Sequence, residues 1–281
     1  MSSNDGPASP SVDITSPANP RVKWLVGLRK RRHRLSERVT LVEGYDELRL
    51  VLDAGVVPQT LYYAPALVGP EEQAVRQQVA SLGTQVVSTS PAAFARASYR
   101  DGPDGWLAVV ADPARPLDAI SLSDTPLVLV SEGVEKPGNL GAMLRTAEAA
   151  GVDAVVAASP VTDWGNPNVV RASKGTVFTL PVASATTAEV YDWARLRGLR
   201  LIAATPQTDT PIGAVDLTGP TAVVVGAEHT GVSDTWLAAA DVAAKVPMFG
   251  RVNSLNVATS AALVVYEAVR QRASDRWQTG C

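Results

Sequence analysis

Three polar segments that contain glycine, each set behind an apolar, β-like run, constrain this chain more than any other feature. The first is Gly138-Asn139-Leu140-Gly141-Ala142-Met143-Leu144-Arg145-Thr146-Ala147 and the second is Gly226-Ala227-Glu228-His229-Thr230-Gly231. The third is Val246-Pro247-Met248-Phe249-Gly250-Arg251-Val252-Asn253-Ser254-Leu255-Asn256-Val257. The first and third lead directly into Ala-rich helical patterns. Loops of this kind, at the ends of parallel strands, are where α/β enzymes assemble a site.

The flanking pattern supports that architecture. In the second half, strands are predicted at Leu127 to Val130, Val152 to Ala157, Val177 to Val182, Arg200 to Ala204, Ala222 to Val225 and Ala243 to Val246. Helices are predicted at Leu140 to Ala150, Asn168 to Lys174, Ala188 to Arg197, Asp234 to Ala239 and Asn256 to Arg272. Continuous apolar strands between helices indicate a parallel sheet covered on both faces. The front half alternates more weakly. A helix starts near Asn19-Pro20, strands are predicted at Thr40 to Gly44, Leu61 to Ala64, Gln85 to Ser88 and Trp106 to Ala111, and helices at Asp46 to Ala54 and Glu71 to Leu82. Two α/β domains follow, at 14–111 and 125–275, with 112–124, which carries Pro113 and Pro116, as the linker. Residues 1–13, rich in Ser, Pro and Gly, are expected to form a disordered tail.

Charge adds a qualification. The net charge of -3 does not suggest a polyanion binder, but its distribution does. Arg21, Lys23, Arg29, Lys30, Arg31, Arg32, Arg34 and Arg38 stand against Glu37 alone, so a basic face sits on an acidic whole. A solvated helix face is the plain alternative. The sole cysteine is Cys281 and the only histidines are His33 and His229, which excludes an intramolecular disulfide and leaves almost nothing for a His/Cys metal site or a Ser-His-Asp triad. No metal is expected. Nor is there a long apolar run or a signal-like N-terminus, so a cytoplasmic location away from membranes is expected.

Each segment also has a plain structural reading. Asn139 suits a helix N-cap, and Ser254 and Asn256 can cap the last helix. Gly226, at a strand end, permits close backbone approach to a ligand or simply a tight turn. Glu228 can cap, pair with a cation, or hold an arginine. Arg145 lies off the stripe made by Leu140, Met143, Leu144 and Ala147, where an arginine is usually solvent-facing. The Gly138-Asn139-Leu140-Gly141 spacing is neither a dinucleotide fingerprint nor a Walker loop, which weighs against an oxidoreductase or an NTP pocket.

Taken together and in this order, the three segments resemble the signature motifs of the SpoU (TrmH-like) RNA 2′-O-ribose methyltransferases of the SPOUT superfamily. The resemblance implies a C-terminal parallel-sheet domain with a trefoil knot. It implies a smaller L30e/L7Ae-like RNA-binding domain in front, where Asn19-Pro20-Arg21-Val22-Lys23 and Leu41-Val42-Glu43-Gly44 match more loosely. S-adenosylmethionine is implied as cofactor, held around Thr205, Gly226, Val246, Met248 and Leu255. Asn139, Arg145, Glu228, Ser254 and Asn256 match the polar catalytic positions. A homodimer is implied, and the basic segment Arg29, Lys30, Arg31, Arg32 and Arg34 becomes a candidate RNA contact. The expected acceptor is a uridine ribose of 23S rRNA, with antibiotic resistance as the consequence. A tRNA or housekeeping rRNA acceptor, and a non-catalytic assembly factor on the same scaffold, are the alternatives.

Overall fold

The computed structural model describes residues 13–70 and 73–273, so the expected tail lies almost wholly outside the described residues. The chain divides into two compact units between Asp112 and Pro113.

The first unit runs α1 (Pro20–Gly27), α2 (Arg31–Glu37), β1 (Val39–Glu43), α3 (Tyr45–Asp53), β2 (Thr60–Tyr63), α4 (Gln73–Ser81), β3 (Gln85–Ser88), α5 (Pro91–Ala97) and β4 (Trp106–Ala111). Its sheet has the order β1-β4-β2-β3, with β4 antiparallel to both neighbours and β2 parallel to β3. Asn19 starts α1 as the sequence suggests, its side chain accepting from Arg21 N at 2.8 Å with Pro20 in the first turn. Helix α5 went unpredicted because only seven residues carry it. Its signal was Ser90-Pro91, where the Ser90 hydroxyl accepts from Ala93 N. Val22, Leu25, Leu28, Leu41, Phe94 and Leu107 form the core.

The basic segment does not stay whole. Between α1 and α2 the chain turns, and two guanidinium groups satisfy carbonyls that the turn and the loop after α5 leave outside regular pairing. Arg34 is buried and donates from Nη1 to Leu28 O at 2.8 Å and Arg29 O at 2.9 Å. Arg29 donates from Nη2 to Arg96 O at 3.1 Å and to Ser98 O. Of the five expected RNA contacts, Arg29 and Arg34 are therefore internal struts. Lys30, Arg31 and Arg32 remain exposed.

The second unit begins with β5 (Ala114–Arg115), β6 (Leu127–Glu132), α6 (Pro137–Ala149), β7 (Ala154–Ala158), α7 (Pro167–Ala172), α8 (Thr176–Thr179) and β8 (Val182–Ala185). It continues with α9 (Thr187–Leu196), β9 (Arg200–Ala204), β10 (Thr221–Val225), α10 (Asp234–Ala239), β11 (Val242–Ala244) and α11 (Val257–Arg272). All seven strands are parallel, in the order β11-β9-β10-β6-β7-β8-β5. One face packs Val128, Val130, Val156 and Val224 against Val190, Trp193 and Trp236 from α9 and α10. Helices α6 and α11 pack on each other, and α11 on β10. Parallel strands so covered must be apolar throughout, which is why they read as unbroken Val/Ala/Leu runs.

Two expectations are corrected here. Residues read as a linker belong to this unit: Ala114–Arg115 pairs with β8 as the edge strand, and Ile120 is buried in the core. The predicted strand Val177 to Val182 splits into the single turn α8 and the start of β8, with Val177 buried in the turn. A short apolar run does not distinguish a buried turn from a strand. At the far end, Arg272 fastens α11 to the strand starts, donating to Thr125 O, Pro126 O, Leu217 O and Gly219 O at 2.6–3.1 Å.

No helix among the described residues is long and apolar enough to cross a membrane, and no group of three or more His, Cys, Asp or Glu among them is placed to hold a metal ion.

Candidate active site

The three segments meet at the C-terminal ends of the second unit's strands. Strand β10 ends at Val225, and the chain then folds back so tightly that Gly231 N donates to Ala227 O at 2.9 Å. A Cβ on Gly226 would stand 1.9 Å from the carbonyl carbon of Gly231 and 2.2 Å from Val232 N. Only glycine fits there, because both obstacles are backbone. The far side of the loop is tied to the end of β6, where the Glu132 carboxylate accepts from Ser233 N at 2.8 Å and from its hydroxyl at 2.7 Å.

Asn139 is not an N-cap. Lys136 occupies that position, Pro137 follows in the first turn, and Asn139 lies inside α6. Its amide is thereby released for long-range bonding. Asn256 does cap α11, its Oδ1 accepting from Ala258 N at 2.9 Å. That fixes the polarity of everything beyond it. Asn256 Nδ2 donates to Asn139 Oδ1 at 3.1 Å, and Asn139 Nδ2 donates to Glu228 Oε1. The chain ends on a carboxylate acceptor, a charge-assisted bond that reinforces the neutral ones behind it.

Beside this chain lies a cleft. Ala204, Val246, Met248 and Leu255 supply apolar walls, while Thr205, Asn253, Ser254 and Ser260 supply polar groups. The cleft continues past Gly226, Glu228, His229 and Thr230, so four of the five expected cofactor residues line its first part and Gly226 its continuation. Thr205 N donates to Ala244 O at 2.9 Å, holding the loop after β9 against β11. Ser254 lines the cleft and is exposed, and the cap of α11 falls to Asn256 instead.

Arg145 stands apart from this group. It is exposed and lines a groove with Lys174, Thr176, Glu148 and Tyr266, none of which borders the cleft. Six residues along a helix separate it from Asn139, about 9 Å of rise and about 120° of rotation. Within one chain, four expected polar residues come together and Arg145 does not join them. Pro206, beside Thr205 on the loop the family resemblance implies as closing one side of the cofactor site, also lines the cleft, whereas sequence reasoning gave no role to Asn253 and Ser260. Asn253 sits in the same polar run as Ser254, and Ser260 falls one helical turn after Asn256, so both had a signal.

Residues 126–266, which contain all three segments and the cleft, match the SpoU rRNA Methylase family, and residues 19–108 match the MRM3-like substrate binding domain. The chain belongs to the SpoU rRNA methylase family. Among family members, it is 31% identical over 99% of both chains to the 23S rRNA (uridine(2479)-2′-O)-methyltransferase of Streptomyces viridochromogenes. It resembles a crystal structure of an RNA 2′-O ribose methyltransferase at 42% identity and TM-score 0.76, covering 92% of this chain and 98% of that one. The AdoMet-bound rRNA methyltransferase of Sinorhizobium meliloti matches with TM-score 0.83 at 28% identity, covering 92% and 97%. At these coverages the three matches take in both units of this chain.

Proposed function

We infer that this chain is an S-adenosylmethionine-dependent 2′-O-ribose methyltransferase acting on 23S rRNA. The observation that carries the reading is the hydrogen-bonded run Asn256–Asn139–Glu228 beside a cleft with apolar walls and a polar rim. Such a cleft fits a ligand with a flat aromatic base and a polar amino-acid tail. S-adenosylmethionine, when bound, supplies a methyl group already activated on a sulfonium. Val246, Met248 and Leu255 would hold the cofactor's apolar part, and Ser254, with Thr205 beside it, would border its polar part.

The acceptor is a poor nucleophile until its proton is polarised. A guanidinium offers fixed, planar hydrogen-bond donors, so Arg145 acts by clamping the phosphate next to the target ribose and orienting the hydroxyl. Glu228, with one oxygen engaged by Asn139, has the other for that guanidinium. Arg145 reaches this carboxylate from a second copy of the chain in a two-fold dimer. Leu263 and Tyr266 on α11, 45% and 43% exposed beside the Arg145 groove, supply apolar surface for the contact. The knotted form of the sheet domain, a cytoplasmic location, a uridine acceptor and a role in antibiotic resistance complete the reading. The knot and the role in resistance rest on the likeness to the family, the uridine acceptor on the Streptomyces viridochromogenes relative, and the location on the apolar pattern of the sequence.

Mapping 2′-O-methyl groups in total RNA from cells with and without the protein tests this directly, with calorimetry against S-adenosylhomocysteine alongside. A site gained in 23S rRNA is expected. A site gained only in tRNA would replace the substrate, and no gained site together with no cofactor binding would leave an assembly factor.

The exposed part of the basic segment should carry RNA affinity. Neutralising Lys30, Arg31 and Arg32 together is expected to weaken rRNA binding and lower its salt slope by about one for each phosphate no longer neutralised. S-adenosylhomocysteine affinity should not change. An unchanged slope in a filter-binding salt series would return the segment to a solvated face.

A further inference from the structure

Of the three phenylalanines in this chain, Phe94 is fully buried and Phe178 half-buried. Phe249 is 98% exposed, more than any other large apolar side chain among the described residues. Leaving an aromatic ring in water forgoes the burial that usually places it. Its position gives that exposure a purpose. Met248, directly before it, lines the cleft, and Asn253, Ser254 and Leu255, a few residues after it, line the same cleft. With successive Cα atoms about 3.8 Å apart, the ring is carried at the rim. Arg251 and Val252 on the same loop are also exposed. No Phe, Tyr or Trp lines the cleft itself, where the only aromatic ring is the imidazole of His229.

We propose that Phe249 is a stacking platform for an unpaired nucleobase of the acceptor RNA, with Arg251 holding a neighbouring phosphate, so that the stacked nucleotide presents its 2′-hydroxyl to the cleft. This rests on the reading of the acceptor as RNA. Proteins read RNA mainly where bases are splayed out of helices, and such bases settle on aromatic faces or guanidinium planes. Stacking needs only a π-face, so the platform positions the nucleotide without choosing its base. The charge beside the ring also favours a polyanion over a second copy of this acidic chain. The apolar surface suited to a copy is Leu263 and Tyr266 on α11.

The test compares Phe249→Ala, Phe249→Leu and Phe249→Tyr in the full-length protein, using unmodified 23S rRNA as the probe. Phe249→Ala should raise KM and the RNA dissociation constant about tenfold or more, the scale of removing one base stack. Phe249→Tyr should restore both, and Phe249→Leu, apolar but without a π-face, should not. Affinity for S-adenosylhomocysteine should stay within about twofold of wild type, and the mass in sedimentation equilibrium should not move. Equal behaviour of Phe249→Leu and wild type would overturn the proposal in favour of plain apolar packing. A changed mass in Phe249→Ala would overturn it in favour of a subunit contact. Should the wild type bind rRNA but transfer no methyl group, the enzymatic reading fails by itself, and the binding comparison still decides the platform.

Discussion

Arg145→Ala is expected to lower kcat for methyl transfer about 10²- to 10³-fold, the scale of removing one preorganised electrostatic interaction from a transition state. Unfolding free energy should move by no more than about 0.5 kcal/mol, because the side chain is exposed and off the buried stripe of α6. Near-normal turnover in a stopped assay would remove Arg145 from the site. The same variant tests how the site is completed. If Arg145 meets Glu228 across a dimer, wild-type protein should sediment as twice the 29.4 kDa chain. A mixture of Arg145→Ala and Glu228→Gln, each inactive alone, should then regain activity after subunit exchange. A 29.4 kDa particle, or no recovery in the mixture, would confine the site to one chain.

Gly226→Ala is expected to damage both fold and cofactor binding. The added methyl would lie 1.9 Å from Gly231 C and 2.0 Å from Gly231 O, and neither can rotate away as a side chain would. Relief requires the 226–231 loop to open, which pulls Glu228 off Asn139 and moves one wall of the cleft. Overpacking of this kind costs about 1–3 kcal/mol, and more where backbone must shift. The denaturation midpoint should fall accordingly, and S-adenosylhomocysteine should bind at least about tenfold more weakly, the ratio for about 1.4 kcal/mol. Gly138→Ala is the control, since its Cβ would meet nothing within 4 Å. Equal stability and affinity in the two variants would mean the loop is loose and Gly226 merely convenient.

Much of this was legible in the chain. The inner strands of the second unit, β6, β7 and β10, are buried nearly throughout, so each is an apolar run that composition and length announce, and the unit's helices carry Pro, Ser, Thr or Asn where they begin. The site loops were legible for a related reason. A polar, glycine-rich segment wedged between a buried strand and a buried helix has no packing role to explain it. Where the reading failed, the cause was local ambiguity. Val177 to Val182 holds too few residues to choose between a turn and a strand. Asn139 carries a capping side chain three residues too late to use it, behind Lys136 and Pro137.

The basic segment shows the limit more sharply. Charge pattern placed five cations on one face, but the turn between α1 and α2 draws Arg34 inside and Arg29 onto the carbonyls of residues 96 and 98. Whether an arginine faces solvent or serves as a strut depends on which carbonyls are left unpaired nearby. No periodicity records that.

By itself, then, the sequence determined the element types, the α/β class and the identity of the three loops, because these follow from short-range periodicity and turn chemistry. Only the tertiary structure decided which side chains act together. Asn139 and Glu228 are 89 positions apart, and Asn139 and Asn256 are 117 apart. Their bonds exist only once parallel pairing of β6 with β10 has brought the loop ends together. Helix geometry alone sets Arg145 on a different surface of the same helix from Asn139. Backbone hydrogen bonds between strands set the positions of the loop ends, and they carry no trace in the residues they align.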